Sequence, residues 1–123
     1  MEIVSGSDLV ELARLEQALA RHGDRFLQRV FTPAEIELCA GRVESLAARY
    51  AAKEAAAKAL GTGIRGFGFL EIEILRGELG QPLLNLHGAA AERARADGWF
   101  SQTVSLSHTA RYALAVVMAL KNR

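Results

Sequence analysis

The chain has 123 residues and 13.3 kDa, one ordinary domain spanning residues 1–123, and it is half apolar with 24% charged residues, a composition that excludes disorder. Fifteen Lys and Arg against fourteen Asp and Glu leave a net charge of +1, too small for a dedicated nucleic-acid binder, and the lone Cys39 cannot close an internal disulfide. No long apolar run or leader pattern stands out, so the expectation is a small soluble cytoplasmic domain with no nucleic-acid or membrane partner.

Ile3 to Leu12 reads as a strand, with Val4, Gly6, Asp8 and Val10 in one row and Ile3, Ser5, Ser7 and Leu9 in the other. Asp8 thus stands in an apolar row, where a lone carboxylate is costly to bury without a partner. Ala13 to His22 is a short helix with Leu15 and Leu19 on its inner face; Gly23 stops it, and Asp24 is placed to cap the next turn. Thr32-Pro33-Ala34-Glu35 starts another helix, with Thr at the cap, Pro in the first turn and Glu reaching back, which runs to about Gly41. A longer helix covers Val43 to Leu60 and ends at Gly61 in the left-handed conformation, followed by the glycine-rich loop Gly61–Gly68.

The second half is mostly strands. Leu70, Ile72 and Ile74 alternate with Glu71 and Glu73, Gly77 to Gln81 turns the chain, and Pro82 to Leu86 returns as the hairpin partner. Ala89 to Asp97 is a short helix closed by Gly98, and Thr103–His108 and Tyr112–Leu120 form a last hairpin. In its final strand both rows are apolar: Leu114, Val116 and Met118 alternate with Ala113, Ala115, Val117 and Ala119. Such a strand is covered on both faces, and in so small a domain another subunit can supply the second cover. The element order is that of an α+β fold.

The long helix carries the most informative stretch, Arg49-Tyr50-Ala51-Ala52-Lys53-Glu54 through Lys58. At about 100° per residue, Val43, Leu46, Tyr50 and Ala57 share a stripe with Glu54 at its edge and Lys58 one turn beyond. The same spacing describes an ordinary exposed Glu–Lys pair, worth about 0.2–0.5 kcal/mol to the helix. Glu54 at a core edge, next to a glycine-rich loop, also suits a cation site. Asp8 offers a second carboxylate, and one or two carboxylates with substrate phosphates and water are what magnesium takes. Lys53 and Lys58 would serve the phosphates. Asp8 as a solvent-facing strand-end acid fits the spacing equally well.

A conventional phosphate loop is absent, since Gly61–Gly68 follows a helix and lacks the GxxxxGK[ST] pattern. Ser105-Leu106-Ser107-His108-Thr109, at a strand end, has hydroxyls and an imidazole suited to phosphate oxygens, or is a polar turn. His22 and His87 have no metal-ligand spacing around them, and Cys39 reads as a buried small residue. Arg14 and Arg21 lie two helical turns apart, with Arg25 extending the surface. They form either a solvated face or a landing strip for an acidic helix.

Taken together these segments resemble one family. Gly6-Ser7-Asp8-Leu9-Val10-Glu11, Phe31-Thr32-Pro33-Ala34-Glu35 and Tyr50-Ala51-Ala52-Lys53-Glu54-Ala55 through Lys58-Ala59-Leu60-Gly61-Thr62-Gly63 are similar to the ordered motifs of bacterial holo-[acyl-carrier-protein] synthases, small 4′-phosphopantetheinyl transferases. Glu71-Ile72-Glu73-Ile74, Gly80-Gln81-Pro82 and Ser105-Leu106-Ser107-His108 follow in the family's order, while Ser7 and Leu70 depart from its usual residues. The resemblance implies an α+β fold, a small antiparallel sheet packed with a long central helix and shorter helices. It implies transfer of the phosphopantetheine arm of coenzyme A to a serine of apo-acyl carrier protein in fatty acid biosynthesis. It also implies a homotrimer with active sites at subunit interfaces. Carried over by motif position, Asp8 and Glu54 would hold Mg2+, Lys58 would neutralise and protonate the leaving phosphate, and Glu54 would take the serine proton. Arg49, Lys53, Lys58, Gly61, Pro82, Ser107, His108 and Thr109 would contact coenzyme A, and Arg14, Arg21 and Arg25 the carrier protein. A non-catalytic coenzyme A-binding module or an oligomerisation domain would need no joint presence of Asp8, Glu54 and Lys58.

Overall fold

The computed structural model describes residues 1–64 and 68–122. In chain order these form β1 (Glu2–Glu11), α1 (Leu12–His22), α2 (Asp24–Val30), α3 (Pro33–Cys39), α4 (Val43–Ala59), a single 3-10 turn (Phe69–Glu71), β2 (Ile72–Arg76), β3 (Pro82–Leu86), α5 (Gly88–Ala96), β4 (Trp99–His108) and β5 (Tyr112–Lys121). The strands make a three-stranded antiparallel sheet in the order β1-β5-β4 and a separate β2-β3 hairpin. The α+β reading stands. Within the glycine-rich loop expected over residues 61–68, Arg65 to Phe67 lie outside the described residues.

Alanine is what lets α4 lie flat on the sheet. Ala113, Ala115, Val117 and Ala119 of β5 are buried against the helix, whose own buried residues include Ala51, Ala52, Ala55 and Ala56. β1 approaches still closer at Gly6, where an added Cβ would lie 2.0 Å from the carbonyl oxygen of Ala55 and 2.8 Å from the amide nitrogen of Ala59. A glycine inside a strand marks such a close backbone approach. The remaining core gathers where α1, α2 and α3 meet the start of α4, around Leu15, Val30, Phe31 and Leu46, with the Phe26 and Phe31 rings edge-on at 6.2 Å.

Local signals were borne out where a single turn decides the structure. Thr32 caps α3 by accepting from the Glu35 amide, while the Glu35 carboxylate accepts from the Thr32 amide. Gly61 has φ +84° and donates its N–H to the Lys58 carbonyl, ending α4. Three expectations need correction. Asp24 is not a cap: the cap position is Gly23, at φ +52°, and α2 has no side-chain cap. Leu70 is not in a strand row but exposed in the 3-10 turn, because Glu71 turns back to accept from the Gly68 amide. The stripe Val43–Leu46–Tyr50–Ala57 is not the buried face of α4. Val43 and Tyr50 are only half-buried, and the helix is enclosed on most sides by β1, β5, β2, α1 and α3.

The doubly apolar reading of β5 has a direct structural counterpart. The face of the sheet away from α4 exposes Ile3 (65%), Leu9 (62%), Leu114 (40%) and Met118 (44%). Leu9 and Leu114 are register partners across β1 and β5, so this apolar surface is continuous over the two strands. Among the described residues no helix is long and apolar enough to cross a membrane.

Candidate active site

The close contact at Gly6 sets the geometry of what lies one row further along. Asp8 shares the helix-facing row of β1 with Gly6, and there its carboxylate meets Lys58 from the last turn of α4. The Lys58 ammonium lies 3.1 Å from Asp8 Oδ1 and donates to the Ser7 carbonyl at 2.9 Å. Lys58 therefore pairs across the helix–strand contact rather than along the helix with Glu54. An ion pair this accessible contributes about 0–1 kcal/mol, so it opens at little cost to an incoming ligand.

Glu54 stands one turn before Lys58 and is half-buried. Burial raises its carboxyl above the ordinary carboxylate range, the negative charge of Asp8 raises it further, and Lys58 opposes both. Tyr50, a turn earlier, has its phenol raised by burial and then by Glu54 and Asp8. The two carboxylates thus feel each other, and Lys58 is the cation that opposes the shift at Glu54. Among the described residues no group of three His, Cys, Asp or Glu could hold a metal by itself. A pair of hard carboxylate oxygens fits Mg2+, which completes its coordination with phosphate oxygens and water.

Asp8 and Glu54 open onto a cleft of about 300 Å³ between β1, α1, α2 and α4, lined also by Arg14, Leu15, Tyr50 and Phe26. Of the basic residues expected on the α1 side, Arg14 reaches this cleft, and Arg25 lines an adjoining hollow with His22, Phe26 and Arg29. Arg21 is exposed and lines neither. Arg29, Phe26 and Tyr50 went unremarked as site residues. For Arg29 a signal exists, since it follows Arg25 by one helical turn.

Two of the expected coenzyme A contacts are buried in the single chain. Lys53 is wholly enclosed, and its ammonium donates to Glu35 Oε1 at 2.8 Å and to the carbonyls of Phe69 and Ile72. Arg49 is also buried, donating to the Ile74 carbonyl at 2.9 Å and to the Ser45 carbonyl. Both project toward β2, where carbonyls and Glu35 replace the water a buried cation must give up. Burial lowers the Lys53 ammonium below the usual lysine range, against the pull of Glu35.

The remaining expected contacts lie outside the cleft. His108 and Thr109 border a shallow hollow with Leu12 and Glu44, at the other end of α4 from Lys58. Thr109 accepts from the Arg111 and Tyr112 amides and shapes the β4–β5 turn, while Ser107 pairs with Leu114 in the register of the exposed face. Gly61 is exposed beyond the end of α4, and Pro82 opens β3 opposite Arg76. One chain therefore brings Asp8, Glu54, Lys58 and Arg14 together, and leaves Ser107, His108 and Thr109 apart from them.

Comparison with known proteins matches the sequence and the fold of the chain to one group. The model of the 4′-phosphopantetheinyl transferase superfamily matches residues 5–117. The holo-[acyl-carrier-protein] synthase of Herpetosiphon aurantiacus is 48% identical over 125 residues, covering 96% of this chain and 98% of that one. That of Chloroflexus aurantiacus (strain ATCC 29366) is 52% identical over 130 residues, covering 93% and 95%. The crystal structure of the Helicobacter pylori holo-[acyl-carrier-protein] synthase in complex with coenzyme A superposes with a TM-score of 0.87 at 37% identity, over 94% of this chain and 99% of that one. With the family model matching nearly the whole chain and the fold shared with solved members, the chain belongs to the 4′-phosphopantetheinyl transferase superfamily. Within it, the chain is one of the holo-[acyl-carrier-protein] synthases.

Proposed function

We propose that this enzyme transfers the 4′-phosphopantetheine group of coenzyme A to a serine of apo-acyl carrier protein, releasing adenosine 3′,5′-bisphosphate, as a Mg2+-dependent homotrimer in cytoplasmic fatty acid biosynthesis. The observation that carries the reading is that Asp8, paired with Lys58, and Glu54 line one cleft together with Arg14.

Attack by a serine oxygen on the pantetheine-bearing phosphorus forms one P–O bond and breaks the bond to the adenosine-side phosphate. Such a displacement needs positioning and charge neutralisation more than covalent help. Asp8 and Glu54 are the residues that would hold Mg2+, which when bound supplies charge neutralisation and a template for the diphosphate. Glu54 is our candidate to take the serine proton at its carboxylate. Lys58 neutralises the leaving phosphate and returns a proton to it from Nζ. Gly61, Pro82, Ser107, His108 and Thr109 remain our assignments for coenzyme A. Because Ser107, His108 and Thr109 stand apart from Asp8 within one chain, the trimer reading lets a neighbouring copy bring them to the cleft.

The exposed apolar sheet face supports that assembly. Leu114→Glu places a charge on the central strand of that face and should convert trimer to monomer in sedimentation velocity with loss of turnover; a trimer that persisted with full turnover would refute the assignment of this face. Arg14, Arg21 and Arg25 fit an acidic helix of the carrier. Arg14→Glu should raise the carrier KM roughly tenfold, the effect of about 1.4 kcal/mol, and leave the coenzyme A KM unchanged. Equal KM values for wild type and variant would remove Arg14 from the carrier surface. The reaction itself is tested by chromatography of the nucleotides: adenosine 3′,5′-bisphosphate should form only when coenzyme A and apo-carrier are both present. Bisphosphate formed without carrier would indicate a hydrolase instead.

A further inference from the structure

We propose that Lys53 is a positioning residue for the cleft: by holding the Phe69 carbonyl it fixes the Phe69 ring against Tyr50, and so sets the wall beside Glu54 against which the carrier protein seats. The inference rests on the proposed function, in which coenzyme A and the carrier protein meet at this cleft and the carrier takes the side that Arg14 lines. Lys53 precedes Glu54 in α4, yet its side chain runs away from the cleft and into the interior. An ammonium has three protons to donate, and here Glu35 Oε1, the Phe69 carbonyl and the Ile72 carbonyl take them. None is left for a substrate phosphate. Glu35 extends the clamp, since its Oε1 also accepts from the Thr32 amide and its Oε2 accepts from the Ile74 amide at 2.8 Å. The segment from Phe69 to Ile74 is thereby tied to both α3 and α4.

What this tether holds in place is an aromatic stack. The Phe69 ring lies on Tyr50 with centroids 5.4 Å apart and planes inclined by 29°. Tyr50 lines the cleft, one helical turn before Glu54. A buried Lys–Glu pair is a poor device for stability alone, because well-packed apolar residues of similar volume often do as well or better. Fixing one backbone carbonyl against a helix is a task such residues cannot perform.

The test compares the full-length enzyme with Lys53→Met, Phe69→Ala and Phe69→Tyr, measuring KM and kcat separately for coenzyme A and for apo-carrier, together with hydrogen exchange at the Ile74 amide. Lys53→Met and Phe69→Ala should each raise the carrier KM about tenfold with the coenzyme A KM within about twofold, and their combination should be no worse than the stronger single change. Phe69→Tyr, which keeps the stack, should restore the wild-type carrier KM. Exchange at Ile74 should quicken in Lys53→Met and stay slow in Phe69→Ala, because only the first cuts the tether. A coenzyme A KM that rose with the carrier KM unchanged would return Lys53 to the phosphates and overturn the proposal, as would a Phe69→Ala carrier KM equal to wild type. Should Lys53→Met fail to fold, the contrast between Phe69→Ala and Phe69→Tyr decides. Absence of transfer by the wild-type enzyme would strike the functional reading by itself. The exchange comparison and the tyrosine near-ultraviolet dichroism of Lys53→Met would still test the tether, and unchanged values of both would refute it.

Discussion

Glu54→Gln should lose roughly 10²–10⁴-fold in turnover, the range expected when a general base is removed, while the metal-free protein becomes more heat-stable at neutral pH. The two effects have one source. Burial and the charge of Asp8 hold the Glu54 carboxyl above its ordinary range, so the folded enzyme binds that proton more tightly than the unfolded chain does. Stability tied to this group is therefore fully present at pH values below the ordinary carboxylate range and is lost as pH rises through the raised folded-state value. Gln carries no charge at any pH, so its advantage should be seen near pH 7 and should vanish near pH 4. Melting curves of both proteins at the two pH values, in EDTA, check this. A variant less stable than wild type at pH 7, or one with normal turnover, would contradict the role given to Glu54. Mg2+ should raise the Tm of wild type, because it binds only the folded carboxylate pair, and should do so less for the variant.

The largest expected effect on the fold comes from the smallest substitution. Gly6→Ala adds one methyl group where the Ala55 carbonyl oxygen would be 2.0 Å away, and the obstructing atoms are helix backbone that no side-chain rotation can clear. The cost should be on the order of 3 kcal/mol or more, at the upper end of overpacking penalties. In a domain of this size that is a fall in Tm of roughly 10 °C. Turnover should fall further than stability alone explains, because β1 carries Asp8 and α4 carries both Glu54 and Lys58, and the methyl group drives the two elements apart. Calorimetry and activity of the still-folded variant at low temperature separate these effects. A Tm within a degree or two of wild type would show that β1 can withdraw from α4 without loss, and that the close approach does not position the site.

What could be read from the sequence follows from how local the governing interaction is. The Thr32–Glu35 capping box and the Gly61 stop are each decided within a turn, and both appear as expected. The two apolar rows of β5 are legible because alternation is a property of the strand alone; one row packs on α4 and the other is part-exposed in the single chain. The buried face of α4 was misread because alanine adds little to a hydrophobic stripe, yet its small size is what allows the helix to rest on β5 and β1. Lys53 and Arg49 read from the sequence as cations for coenzyme A. Their partners, Glu35 on α3 and the carbonyls of Ile72 and Ile74, come from distant parts of the chain that no spacing connects. The meeting of Asp8 with Lys58 is equally non-local, and spacing left Asp8 open between a site and a strand-end acid. Family resemblance rather than periodicity joined them.

The most direct measurement is intact-mass spectrometry of an apo-acyl carrier protein incubated with this enzyme, coenzyme A and Mg2+, with a parallel sample in EDTA. The account predicts a gain of one phosphopantetheine group on the carrier, abolished by EDTA and absent with Glu54→Gln. A carrier whose mass stayed unchanged across several apo-carriers, with coenzyme A still bound by the enzyme, would contradict it and leave a binding module in place of a transferase.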